Sequence, residues 1–113
     1  MGILEAIKKM LGLDKDYDAF DVDIIIDINS ALMVLNQLGV GQIGFKITGY
    51  DETWEDFAGD TTDLEGIKTF VYLKTKLLFD PPNNSFVISA IEKQLDELSW
   101  RMREIAAEGG QNG

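Results

Sequence analysis

The side chains of this sequence that could do chemistry are almost all carboxylates. The chain has 20 aspartates and glutamates, no histidine and no cysteine. Histidine and cysteine supply most general bases, nucleophiles and thiolate metal ligands, so these reactions lack their usual residues. Acid pairs such as Asp23 with Asp27, or Glu52 with Glu55, are expected by chance among so many carboxylates. We therefore predict that the protein is not an enzyme and that it binds no cofactor.

Three aspartates imitate the start of a calcium-binding loop. Asp14, Asp16 and Asp18 occupy what would be its first, third and fifth positions. The sixth position is Ala19, where the loop needs glycine for a sharp turn, and the twelfth is Ile25, where it needs a bidentate glutamate. We therefore interpret this segment as a solvated acidic linker and predict no metal site.

A glycine motif with the spacing G-x-G-x-x-G begins at Gly39 and ends at Gly44. In dinucleotide-binding proteins this motif leaves a strand and opens a helix. Here it leaves a helical pattern and leads into Phe45–Thr48, which alternates like a strand. The motif therefore predicts a flexible turn and no nucleotide site.

The spacing of apolar residues predicts two helices in the first part of the chain. The first is short and amphipathic, with Ile7 on its apolar face and Lys8 on its polar face. The second runs from Asp21 to Leu38, and Gly39 follows where a helix end favours a left-handed residue.

Two further helices flank a proline break. The helix from Leu64 to Phe79, with Thr62 as its N-cap, ends where Pro81 restricts the preceding residue to extended conformations. Ser85 is expected to cap the last helix. Ahead of this pair, Thr53 caps a single helical turn.

These patterns predict a mainly α protein. We expect a small helical bundle of about four helices, with a short β-strand or hairpin inserted between the second and third helices. Residues 1–108 are predicted to form a single domain, and residues 109–113, which lack any apolar period, a flexible C-terminal tail.

The last helix carries aromatic residues away from its main apolar stripe. The stripe, which is expected to be buried, consists of Ile88, Ile91, Leu95, Leu98, Met102 and Ile105. Trp100 points about 160° away from this stripe, and Phe86 projects within about 40° of the same direction. Two interpretations stay open: the rings form a subunit interface, where Trp is enriched, or the same chain covers both sides of a central helix.

Charge and hydropathy exclude two classes of partner. The net charge of −10 and the pI near 4.2 argue against a surface that grips nucleic acid, which needs clustered lysine and arginine. The acidic surface is either a solubilising coat or a surface that lets DNA pass close by without binding it. No apolar run is long enough to span a membrane and no signal-peptide pattern is present, so we expect a soluble protein that is not exported.

Several segments resemble the small head–tail connector proteins of long-tailed bacteriophages and prophages. They are the Ile-Asp-Ile-Asn-Ser-Ala run in the helix from Asp21, the Leu-Gly-Val-Gly turn, Phe45–Gly49, Thr53-Trp54, Val71–Lys74, and the Leu-Phe-Asp-Pro-Pro break followed by a Leu-Ser-Trp-Arg helix. The resemblance spans residues 21–103, and its motifs are structural.

The resemblance implies a structural virion protein, a connector that carries out no reaction. Copies would assemble into a cyclic ring, expected to be a dodecamer, below the capsid portal, where the ring extends the DNA channel and presents the tail attachment surface. The partners would be the portal protein and a downstream neck or tail protein, and DNA would pass through the lumen without specific binding. The protein would assemble in the host bacterial cytoplasm and reside in the head–tail neck of the virion. The residues expected at interfaces are Phe45, Ile47, Trp54, Phe57, Phe86, Trp100 and Arg101.

A second hypothesis comes from charge alone. An acidic regulator that mimics DNA could occupy the basic groove of a nucleic-acid-binding partner. Such a mimic needs carboxylates spaced like phosphates on one face, whereas here they are scattered among all segments.

Overall fold

Five helices follow one another in a computed structural model that describes residues 1–60 and 63–112, with side chains up to Glu108. They are α1 (Ile3–Met10), α2 (Asp21–Gln37), α3 (Trp54–Ala58), α4 (Leu64–Phe79) and α5 (Ser85–Asn112). The chain is therefore mainly helical, but the described residues form five helices where about four were predicted. No helix within the described residues combines the length and hydropathy needed to cross a bilayer.

Helices α2 and α4 form the centre of the fold and make the most extensive helix contact. The inward face of α2 is a continuous apolar stripe at three- and four-residue spacings, which a helix needs to bury one side. The stripe consists of Ile24, Ile28, Ala31, Leu32 and Leu35. Helices α1 and α3 pack against this central pair, and α5 packs mainly on α4.

The predicted β-strand or hairpin insertion is wrong. Within residues 1–60 and 63–112 there is no strand, and Gly2 and Thr53 form an isolated bridge. The side chain of Asn29 on α2 explains the extended segment, because its Nδ2 donates to the carbonyl oxygen of Ile47 at 3.0 Å and its Oδ1 accepts from the Ile47 N–H at 2.7 Å. A side-chain amide thus satisfies the backbone groups that a neighbouring strand would otherwise pair.

The glycine motif is a turn, as its context predicts. Gly39, Gly41 and Gly44 all have positive φ, which side chains with a Cβ rarely adopt. A Cβ on Gly41 would also collide with the ring of Phe57. The turn is held to α2 by Asn36, whose Nδ2 donates to two carbonyl oxygens of the turn at 3.0 Å each.

The boundaries of α2 and α4 agree closely with the sequence patterns, whereas α5 continues beyond Ile105, the last residue of its predicted stripe, to Asn112. The capping residues also differ. Helix α4 has the predicted bounds, but Asp63 caps it by accepting from the Gly66 N–H at 3.0 Å, while Thr62 lies outside the described residues. The N-cap of α5 is Asn84, whose Oδ1 accepts from the Phe86 N–H at 2.8 Å, so the prediction of Ser85 is wrong. Asn and Ser are equally good N-cap residues, so the sequence alone does not determine which of the adjacent residues Asn84 and Ser85 caps α5.

Lys8 is fully buried, so its predicted place on a polar face is wrong. Its Nζ lies 2.7 Å from Asp21 Oδ1, from the Tyr50 hydroxyl and from the carbonyl oxygen of Tyr17, and 2.9 Å from the carbonyl oxygen of Lys15, so its three protons are shared among four acceptors. Burial opposes the charge of Lys8, but the bonds to Asp21 and Tyr50 outweigh it and raise the pKa of the ammonium. This network fixes the acidic 11–20 segment against α1 and α2.

Helix α5 is longer than the helix that supports it. Its 28 residues span about 42 Å, against about 24 Å for the 16 residues of α4. Leu95, Leu98 and Met102 are buried, whereas Ile88, Ile91 and Ile105 are only half-buried. The predicted stripe is thus buried at its centre and partly open at both ends. The single domain and the flexible tail over residues 109–113 stay predictions.

Candidate assembly interface

The outer face of α5 exposes the two aromatic rings that helical geometry placed there. Phe86 is 85% exposed and Trp100 is 66% exposed. Phe86 stands in the first turn, immediately after the Asn84 cap. Both rings keep most of their surface exposed among the described residues, so the alternative in which α5 is enclosed on both sides by its own chain does not hold for this part of the molecule.

The surroundings of Trp100 are charged. A shallow depression beside the indole is lined by Asp96, Glu97, Trp100 and Arg101, a set that we call the Trp100 face. Arg101 and Arg103 are the two arginines of the whole sequence, and both are exposed. Neither makes an ion pair within the described part of the chain. Trp and Arg are the residues most enriched among energetically dominant contacts of protein interfaces.

Four further residues expected at interfaces lie in the region of the glycine turn and α3. Ile47, Trp54 and Phe57 are buried in the core of their own chain. Phe45 is half-buried and packs edge-on against Phe57, with ring centroids 5.6 Å apart. Three of these four side chains therefore present almost no surface to a partner.

An apolar cleft that the sequence analysis did not identify lies between α2 and the glycine turn. Its volume is about 480 Å³, and its apolar walls are Met33, Ile43 and Phe45. Met33 is 57% exposed and Ile43 is 92% exposed. Lys46 is the one charged side chain that lines the cleft, and Asn29, Asn36, Gln37 and Gly44 complete it.

A second cleft lies between the start of α2 and the end of α4 and has a different character. We call it the acidic cleft; its volume is about 340 Å³ and it is lined by Phe20, Asp23, Ile26, Asp27, Leu78 and Phe79. Burial, together with the negative charge of Asp23, raises the pKa of the Asp27 carboxyl. The carboxylates of Asp23 and Asp27, which the sequence analysis considered as a pair, therefore lie close enough to interact at the surface of this cleft.

Glu52 has a structural role and does not pair with Glu55. Its carboxylate accepts from the Thr48 hydroxyl at 2.7 Å, from the Thr48 N–H at 3.0 Å and from the Gly49 N–H at 3.3 Å. Burial would raise the pKa of Glu52, but these hydrogen bonds outweigh it and lower the pKa. Within the described residues no group of three or more acidic side chains could hold a metal ion.

A family model described as phage connector protein matches residues 3–109 of the chain. The chain belongs to the phage connector protein family. No curated protein and no solved structure matches it. The match extends beyond the segments on which the resemblance was based, since it includes α1 and the acidic segment that follows it.

Membership in this family gives the exposed surfaces of the connector a structural context. Connectors are structural proteins of the bacteriophage virion, and the family implies contacts with portal and tail proteins. The features of this connector that suit such contacts are the Trp100 face, Phe86 and the two clefts on α2.

Sequence reasoning missed Met33 and Ile43, although a signal for Met33 was present. Residues 32–35 of α2 are four consecutive apolar residues, which is more than one helix face can bury, so at least one must point outward. Ile43 lies inside the glycine motif, where no periodicity shows the direction of a side chain.

Proposed function

We propose that the connector assembles into a closed ring below the portal, where it extends the DNA channel and presents the surface to which the tail attaches. The observation that carries this proposal is the exposure of Trp100 and Phe86 on one face of α5. Large aromatic rings left in water by a folded chain are typical of protein–protein contact sites.

The exposed surfaces suit a ring because they differ from one another. The Trp100 face lies on α5, whereas both clefts lie on α2. When two different surfaces of identical copies meet, the contact is heterologous, and it closes into a ring if the rotation between copies allows it. A self-complementary patch would instead favour a simple dimer.

The acidic charge of the chain supports the passage of DNA. With 20 acidic and 10 basic residues, a ring of many copies carries a large negative charge. Phosphates are repelled by such a surface, so DNA moves through the lumen without being held there. In this proposal the ring forms in the host bacterial cytoplasm and binds the portal on one side and a neck or tail protein on the other.

Electron microscopy of the purified connector mixed with purified portal tests the proposal. We expect an additional ring-shaped density with a central opening at one end of the portal. Phage particles that lack the connector should retain filled or emptied heads without tails, and the wild-type protein should restore tail attachment. The proposal is wrong if the portal binds no connector and particles that lack the connector still acquire tails.

A further inference from the structure

The Trp100 face exposes an aromatic ring, and the apolar cleft has exposed apolar walls. We propose that Trp100 of one copy inserts into the apolar cleft of the next copy, between Met33, Ile43 and Phe45. This inference rests on the ring of the proposed function and identifies the contact that closes it. The occupant of the cleft is thus a second copy of this chain.

The size and lining of the cleft suit an indole. Its volume of about 480 Å³ leaves room for a Trp side chain, and three of its walls are apolar. Met33 has an adaptable thioether that packs well against aromatic rings. Ile43 is 92% exposed in the single chain, and insertion of Trp100 would remove both side chains from water together.

The net charges of the two surfaces are opposite. Beside Trp100 the two carboxylates of Asp96 and Glu97 outnumber the one cation, Arg101, whereas Lys46 is the one charged side chain that lines the apolar cleft. Lys46 is exposed and makes no ion pair within residues 1–60 and 63–108. Docking of the indole therefore brings a free cation towards two carboxylates, which favours this orientation over others.

The acidic cleft is a poorer receptor for the same face. Asp23 and Asp27 line it, and they would meet a face on which Asp96 and Glu97 outnumber Arg101, so the net charges of the two surfaces would have the same sign. Like-charge contacts across an interface are strongly unfavourable, so the charge pattern selects between two clefts on the same helix.

Charge exchange across the proposed contact tests it directly. Lys46→Glu alone should raise the dissociation constant of ring assembly at least tenfold, because the introduced carboxylate then faces Asp96 and Glu97. The double variant K46E/E97K should recover most of this loss, since the charges are exchanged and remain opposite. Lys9→Glu, on the exposed side of α1, is the matched control and should assemble like the wild type.

Substitution inside the cleft provides a second readout. Ile43→Asp should raise the dissociation constant at least about 30-fold, which is the factor expected for an interface hot spot. Val22→Asp is the control, since Val22 is also an exposed apolar residue but lines neither cleft. Both residues are exposed, so circular dichroism and the midpoint of urea unfolding should match those of the wild type.

Chemical cross-linking tests whether Trp100 of one copy lies near the apolar cleft of the next copy, without a measurement of binding affinity. Because the chain has no cysteine, Gln37→Cys at the cleft and Arg101→Cys beside Trp100 can be made separately and mixed. A short bismaleimide should join the two proteins, whereas Lys9→Cys mixed with Arg101→Cys should give no product.

The outcomes separate this inference from the proposed function. If wild-type rings form and neither the cleft variants nor the charge exchange alters them, the docking site is wrong and the ring stands. If Trp100→Ala prevents assembly while Ile43→Asp does not, the indole binds elsewhere and the inference is also overturned. If the wild type forms no ring alone or with portal, both proposals fail.

Discussion

Lys8 Nζ and Asp21 Oδ1 form an ion pair of 2.7 Å in which the lysine side chain is fully buried. The pair joins α1 to the first turn of α2, and Tyr50 completes it by donating its hydroxyl proton to Asp21 Oδ2 at 2.8 Å. The acidic segment between α1 and α2 is thereby held by the buried cation of Lys8, in a chain whose net charge is −10.

Lys8→Met should lower the free energy of unfolding by about 3–5 kcal/mol, because it leaves the buried side of Asp21 without its cation. Urea unfolding followed by circular dichroism measures this loss. Lys9→Met is the control, since Lys9 is exposed, and it should change stability by less than about 0.5 kcal/mol. Equal effects of the two substitutions would contradict the role of the buried pair.

Glu52→Gln should lower stability at pH 7 by about 1 kcal/mol, because a charged acceptor of three hydrogen bonds is replaced by a neutral one. The pKa of Glu52 is lowered in the folded protein, so its contribution is complete above the ordinary glutamate pKa of about 4.3 and is lost as pH falls through the lowered folded value.

The stability difference between wild type and Glu52→Gln should therefore shrink as pH falls from about 5 towards 3. Thermal unfolding at a series of pH values measures this. Glu55→Gln serves as the control because Glu55 is exposed, and its difference from wild type should be small throughout. A difference for Glu52→Gln that stays constant with pH would contradict the account.

Thr75→Val should raise the free energy of unfolding by about 1 kcal/mol, because valine replaces a buried hydroxyl with an apolar group of the same shape. The Thr75 hydroxyl on α4 is buried without a hydrogen-bond partner in the described structure. Differential scanning calorimetry detects the gain. Thr69→Val, at a half-buried position of the same helix, is the control and should give a smaller gain. A destabilised Thr75→Val protein would contradict the prediction.

Trp100→Ala should weaken assembly far more than folding. Its side chain is 66% exposed, so truncation leaves no cavity in the core and should change the free energy of unfolding by less than about 0.5 kcal/mol. Sedimentation velocity over a range of concentrations measures assembly, and urea unfolding measures folding. Tyr17→Ala, which removes another exposed aromatic ring, should leave assembly unchanged.

The helices could be predicted from the sequence because their signals are local. Periodic apolar residues, the proline break after Phe79 and the glycine after Leu38 set the bounds of α2 and α4 to within one residue. The extended segment was wrongly predicted as a strand because Asn29, 18 residues away, supplies the hydrogen bonds of Ile47. The burial of Lys8 also depends on distant partners, above all Tyr50.

The same difference between local and distant signals explains which interface residues could be predicted from the sequence. Phe86 and Trp100 lie on a regular helix, so their outward direction follows from 3.6 residues per turn. The directions of Ile47 and Phe57 depend on how an irregular turn and a short helix fold onto α2, and no periodicity encodes that. Met33 and Ile43 form a shared surface only when α2 and the turn are brought together in three dimensions.

Native mass spectrometry of the purified connector tests the central claim most directly, because it counts the copies in each species. We expect wild-type protein, alone or with portal, to give one closed oligomer of defined mass, and Trp100→Ala at the same concentration to give mainly monomer with an unchanged fold. A wild-type protein that stays monomeric under both conditions, or a Trp100→Ala protein that forms the same oligomer as the wild type, would contradict the account.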